Sequence, residues 1–174
     1  MSAAGIGRRT FFRYYRSKND LPWGDFDAML ARMRTHLHSL PPELPVMGAL
    51  QRGVVEFNRF PADELPYHRE RMWLLLNVPN LVAHSTLRYA AWRQVIAEYV
   101  AERQDDEPGA LEPQSIAWAC LGLCLAAYEQ WLAHEDSDLL DLLENAFSRL
   151  AAAFRAEGGL GRPPDAPGLE WRER

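Results

Sequence analysis

Along most of this chain, apolar residues return every three or four positions, and the runs are separated by prolines or acidic clusters. Alternating β-branched runs are nearly absent, and so are the Asn-Gly and Asp-Gly pairs that turn hairpins. That pattern confines the chain to an all-α fold. A helix stacks positions i, i+3 and i+4 on one face, so each run marks a face to be buried. Reading the breaks as boundaries gives a short helix over about 8–15. A second starts near 18–20 with Ser17 as N-cap and runs to about Ser39, with Phe26, Met29, Leu30, Met33 and Leu37 at helical spacing. Pro22 falls in its first turn, where the missing N–H breaks no helical bond. Further helices are predicted over about 46–60, 64–76, 81–104, 113–134 and 137–157, with Pro61, "NVPN", "DDEPG" and "GGLG" among the breaks. The tail "RPPDAPGLEWRER" has no apolar period and is expected to be disordered.

Charge is distributed unevenly. The stretch "GIGRRTFFRYYRSKNDL" holds four arginines, one lysine and four aromatic rings. Up to Leu21 the five basic residues stand against Asp20 alone, giving +4 and leaving −9 on the remainder of a chain whose total is −5. Such asymmetry points to a polyanion at the basic end. A helix that enters the major groove needs a tight turn before it, compact side chains toward the bases, and cations or hydroxyls for the flanking phosphates. "AAGIG" supplies the turn, with Gly5 at the reversal, Ile6 as a plug and Gly7 at the N-cap. "RRTFFRYY" then reads as the recognition helix. Arg8 and Arg9 reach bases or phosphates, Thr10 base edges, and Arg13 and Tyr14 the backbone, while Phe11 and Tyr15 face inward. Lys18 adds a cation and free helix-start N–H groups for a phosphate.

"AAGIGRRTFFRYYRSKNDL" resembles the signature of TetR-family regulators, in which a turn, a Thr-aromatic-aromatic helix and a Ser-Lys pair followed by an acidic residue and leucine recur. The resemblance gives Phe12 and Tyr14 the positions of phosphate-contacting aromatics, and Lys18 that of the phosphate-contacting lysine. More narrowly, "SKNDLPWGDFDAML", "VPNLVAHSTLRYAAWRQV" and "AAYEQWLA" look like the regulators found with mycofactocin gene clusters. The family places two helices before the recognition helix, whereas only Met1–Ala4 precede the turn here. Two explanations stay open, a start codon upstream of Met1, which is the expected one, or a shortened regulator. The sequence as it stands is expected to bind DNA poorly. The organisation implied is a partial helix-turn-helix over 1–21, a helical ligand-binding and dimerisation bundle over 22–160, and the tail over 161–174.

The resemblance implies a body that senses a small hydrophobic or amphipathic molecule, with a long-chain acyl-CoA or similar thioester suggested by the narrower likeness. Candidate lining residues are Arg71 and Trp73 on one helix, His84, Arg88 and Trp92 on a single stripe of the next, and Trp118 and Tyr128 on the one after. Rings at helical spacing equally suit a plain core. Small residues on the last two helices, such as Ala119, Gly122 and Ala126, suit close packing, and the family's four-helix interface implies a homodimer. His36 and His38 point to different faces, His68 stands alone, and Cys120 with Cys124 lacks a histidine at ligand spacing, so no metal and no cofactor are expected. No nucleophile–base pair, glycine-rich phosphate loop or paired carboxylate suggests an enzyme. Without a signal peptide or an apolar run of bilayer length, the expected place is the cytoplasm with no membrane contact. A ligand-binding repressor is the first reading, and a helical ligand-binding and dimerisation module without DNA binding is the alternative.

Overall fold

A computed structural model describes residues 18–156, and the side chains of residues 21–152. The expected recognition helix at 8–15, with Arg8, Arg9, Thr10, Phe12, Arg13 and Tyr14, lies outside the described residues, as does the tail. Within them the fold is all-helical. A 3-10 turn, Lys18–Trp23, leads to six α-helices: α1 Phe26–Ser39, α2 Val46–Phe57, α3 Leu65–Asn77, α4 Pro79–Gln104, α5 Leu111–Ala133 and α6 Leu139–Ala156.

The continuous helix expected from 18–20 to 39 is in fact two pieces. Gly24 adopts φ +56°, a left-handed conformation that ends the 3-10 turn. Asp25 then caps α1, its Oδ1 accepting from Ala28 N–H at 3.1 Å. The helix from Val46 stops at Phe57 rather than 60, and the buried Asn58 follows it. The "NVPN" break survives as a corner of one residue, because Pro79 at the head of α4 has no N–H that the helix would use. The last helix starts at Leu139 rather than 137, with Asp138 as its cap, its Oδ1 accepting from Leu140 and Asp141 N–H.

Helix α4 is the axis of the bundle. It packs against α1, α2, α3, α5 and the 3-10 turn, while α6 closes over α5 and α2. Its inner side chains, including Trp92, Val95, Ile96 and Val100, are almost wholly buried. On α5 the buried set is Ala117, Cys120, Leu121, Cys124, Ala127, Tyr128 and Trp131, a seam of alternating threes and fours. Both cysteines are buried free thiols. Helix α1 approaches α2 closely at Gly53, where any side chain would run into Leu37. Contrary to the sequence reading, one helix among the described residues, α5, is by length and composition apolar enough to cross a membrane. Its inner seam is part of the bundle's own core.

Candidate ligand cavity

Between the 3-10 turn, α1, the end of α2, and helices α3, α4 and α5 lies a cavity of about 80 Å3. Its near wall is aromatic. Trp23 meets Phe26 and Tyr89 edge-on, with centroids 4.9 and 5.7 Å apart. Phe57 bridges Phe26 and Trp92 at 6.1 and 6.4 Å. Met29, Met72, Leu75, Leu121 and Leu125 complete the apolar surface. An open groove of about 670 Å3 adjoins it and shares Trp23, Met29, Phe57, Phe60 and Arg71.

The polar residues of the far wall form one hydrogen-bonded chain. Arg71 Nη2 donates to His68 Nδ1 at 2.5 Å, and His68 Nε2–H donates to the Tyr128 hydroxyl at 2.9 Å. That hydroxyl donates to Asn58 Oδ1 at 2.6 Å, and Asn58 Nδ2 donates to Val54 O at 2.8 Å. Arginine has no acceptor and a carbonyl has no donor, so the two ends fix the direction of every bond between them. Histidine fits this chain only when neutral. Burial, with the Arg71 charge beside it, lowers the His68 pKa from 6.5 to about 3. Phe60 stacks on the imidazole at 3.9 Å. Burial also pushes the Tyr128 phenol far up, and the Cys120 thiol to about 12, so neither ionises near neutrality.

Of the seven body residues expected around a ligand, the structure brings Arg71, Trp92 and Tyr128 to this cavity. The others lie elsewhere. Trp73 is on the outer face of α3, beside Leu74 and Leu132. Trp118 is 57% exposed on the outside of α5, with the Arg93 guanidinium 3.5 Å from its ring. Arg88 pairs with Asp27 of α1 at 3.5 Å, and His84 is half-buried near the start of α4. The stripe His84–Arg88–Trp92 is therefore offset by one residue at its start: the line facing inward is Ser85, Tyr89 and Trp92. His68, Asn58, Trp23 and Phe60 were not anticipated. Their partners are distant in the chain, 60 residues for His68 with Tyr128 and 70 for Tyr128 with Asn58. Lys18 opens the 3-10 turn, and its side chain lies outside the described part. Among the described residues no group of three His, Cys, Asp or Glu is placed to hold a metal.

Residues 44–155 match the family model of the MftR C-terminal domain, one of the TetR C-terminal domains. A relative from Mycobacterium tuberculosis (strain ATCC 25618 / H37Rv), named "Putative mycofactocin biosynthesis transcriptional regulator MftR", is 43% identical over 152 residues, covering 87% of this chain and 77% of the relative. The chain belongs to the TetR family. This is a family of transcriptional regulators and not of enzymes. In this TetR-family chain the matched segment spans α2 to α6 almost entirely, and so includes the whole polar wall of the cavity. The aromatic wall is joint work, because Trp23, Phe26 and Met29 come from the turn and helix that precede it.

Proposed function

We propose that the chain is a DNA-binding transcriptional repressor, relieved by a small amphipathic effector that enters the cavity under the 3-10 turn. The observation that carries this reading is the position of Trp23. It closes the Lys18–Trp23 turn, which continues from the basic "RRTFFRYYRSK" stretch, and it forms part of the cavity wall. An occupant therefore bears on the segment joined to the DNA-reading residues Arg8, Arg9, Thr10, Phe12, Arg13, Tyr14 and Lys18. Two such segments in a dimer must be spaced to reach successive major grooves. The effector needs only to prefer the arrangement in which they are not.

The narrower resemblance favours an acyl-CoA-like effector. The cavity holds only a short apolar portion of such a molecule, and the adjoining groove is roomy enough for a polar part. Arg71 borders both spaces. Arg88 and Arg93 are engaged with Asp27 and Trp118, and Arg71, with Arg32 and Arg59 of the groove, supplies the cations for an anionic portion. For the dimer, α5 and α6 are the natural surfaces. Leu111 and Trp118 are exposed on α5, and Ala119, Gly122 and Ala126 form an outward small-residue stripe that lets backbones approach. The site of action is the cytoplasm, with operator DNA as the partner.

The test is a gel-shift titration on the upstream intergenic region, using this chain and a chain extended by the in-frame codons before Met1. Binding by the extended chain, weakening steeply as salt rises, is the expected result. Absence of binding by both at low salt overturns the reading and leaves a ligand-binding helical module.

A further inference from the structure

Two hydrogen-bond donors in the cavity wall have nothing to donate to. Trp23 is only 9% exposed, and its Nε1–H, shut off from solvent, meets no acceptor. An indole nitrogen can only donate. The Tyr89 hydroxyl is likewise enclosed and unpartnered. Its neighbour Ser85 lies close enough to act on the Tyr89 hydroxyl, but the Ser85 hydrogen goes to Leu81 O at 2.8 Å. The Trp23 and Tyr89 rings touch edge-on in the same wall. Native interiors seldom leave such donors unmatched unless something else brings the acceptor.

Among the described residues no acceptor of the cavity reaches these two donors, and no aspartate or glutamate lines it. Asn58 Oδ1, His68 Nδ1 and the Tyr128 oxygen already accept along the polar chain. Among the described residues the only charged side chain in the wall is the Arg71 guanidinium. What the wall can still offer is donors and one positive charge, set in aromatic and aliphatic surface.

We infer that the effector is a neutral or anionic compound with a carbonyl-type oxygen on an apolar body, and that this oxygen accepts from Trp23 Nε1–H and the Tyr89 hydroxyl. A carbonyl oxygen has two lone pairs, one for each donor. The Arg71 charge, with no described carboxylate in the wall to offset it, weighs against cationic compounds. The inference rests on the effector reading above and gives that site its chemistry. Because Trp23 is the last residue of the 3-10 turn, the oxygen is grasped at the joint itself, one residue before Gly24.

Acetophenone and ethylbenzene test this on the full chain, since they have nearly the same shape and differ only in carbonyl against methylene. Calorimetry gives their affinities, and 15N spectra follow the six indole N–H signals, with Trp23 assigned by the signal lost in Trp23→Phe. Acetophenone is expected to bind and to shift the Trp23 indole, which ethylbenzene leaves in place. Trp23→Phe and Tyr89→Phe should each weaken acetophenone about three- to tenfold and leave ethylbenzene almost unaffected. Retained ethylbenzene affinity also shows that the variant cavity is intact. Benzyltrimethylammonium should not bind. An unmoved Trp23 signal at saturating acetophenone, equal losses for both probes, or binding of the ammonium compound overturns the proposal while the effector cavity stands. Failure of both aromatic probes to bind the unaltered chain overturns both. DNA binding is read separately by the gel shift, so the regulator assignment survives either result.

Discussion

His68 has one ring proton in this fold, on Nε2, because Nδ1 must accept from Arg71. Protonating Nδ1 would point two donors at each other inside an apolar wall. Its pKa of about 3, against 6.5 in an open chain, turns this into a dependence of stability on pH. Between those values the unfolded chain takes up a proton that the folded chain refuses. The contribution is therefore complete above about pH 6.5 and declines as pH falls toward 3, by on the order of 1 kcal/mol per pH unit. Urea unfolding of the natural chain and of His68→Gln from pH 4 to 7 should show a steeper slope for the natural chain by that amount. Equal slopes would show that the imidazole takes no part. His38 has the opposite sign. Its Nδ1 lies 2.7 Å from Arg34 O and its Nε2 2.8 Å from Glu102, and the imidazolium donates to both. The Arg34 carbonyl first, and Glu102 second, raise its pKa. Its stabilisation is full below the open-chain value and is lost as pH rises through the raised one. The contact is half exposed and its energy correspondingly small. An NMR titration should find the His38 pKa lowered in Glu102→Gln.

The helices themselves were largely legible in the sequence, because prolines and acidic pairs cut the chain where the periodicity changes. Less legible was which side of a helix faces which neighbour. Apolar spacing on α4 suited a line through His84, Arg88 and Trp92 about as well as one through Ser85, Tyr89 and Trp92, and only packing against α1 and the 3-10 turn selects the second. The join at Gly24 was hidden by Pro22, which is tolerable in a first turn and so raised no objection to a continuous helix. Asn58 and His68 gave no local signal at all, since a buried polar residue becomes recognisable only beside its distant partner. Gly53 is a case where the demand comes from a neighbouring helix. A Cβ there would collide with the end of the Leu37 side chain, which is 1% exposed and must shift within the core. Gly53→Ala should therefore cost about 1–3 kcal/mol, measured as a fall in thermal stability, despite alanine's better helix propensity. An unchanged or higher melting temperature would mean that α1 and α2 separate more readily than their packing implies.

For the whole molecule, the outer side of α5 is the place to separate folding from association. A Cβ at Gly122 meets nothing within 4 Å, so Gly122→Arg leaves the bundle's own contacts intact. Light scattering should report loss of a dimer formed through α5 and α6, with the helical circular dichroism spectrum kept. A dimer that persists would move the interface elsewhere. The absence of carboxylates among the described residues of the cavity wall has a kinetic corollary. The protein as a whole carries −5, so an anionic effector is repelled on approach and attracted once it is near Arg71. Mobile ions mute the long-range repulsion more than the enclosed attraction. Its association rate constant, followed by stopped-flow fluorescence, should thus climb as ionic strength rises. DNA engaged by the +4 end should respond in the reverse sense. Salt would then push the regulator off its operator and speed the arrival of the compound that releases it.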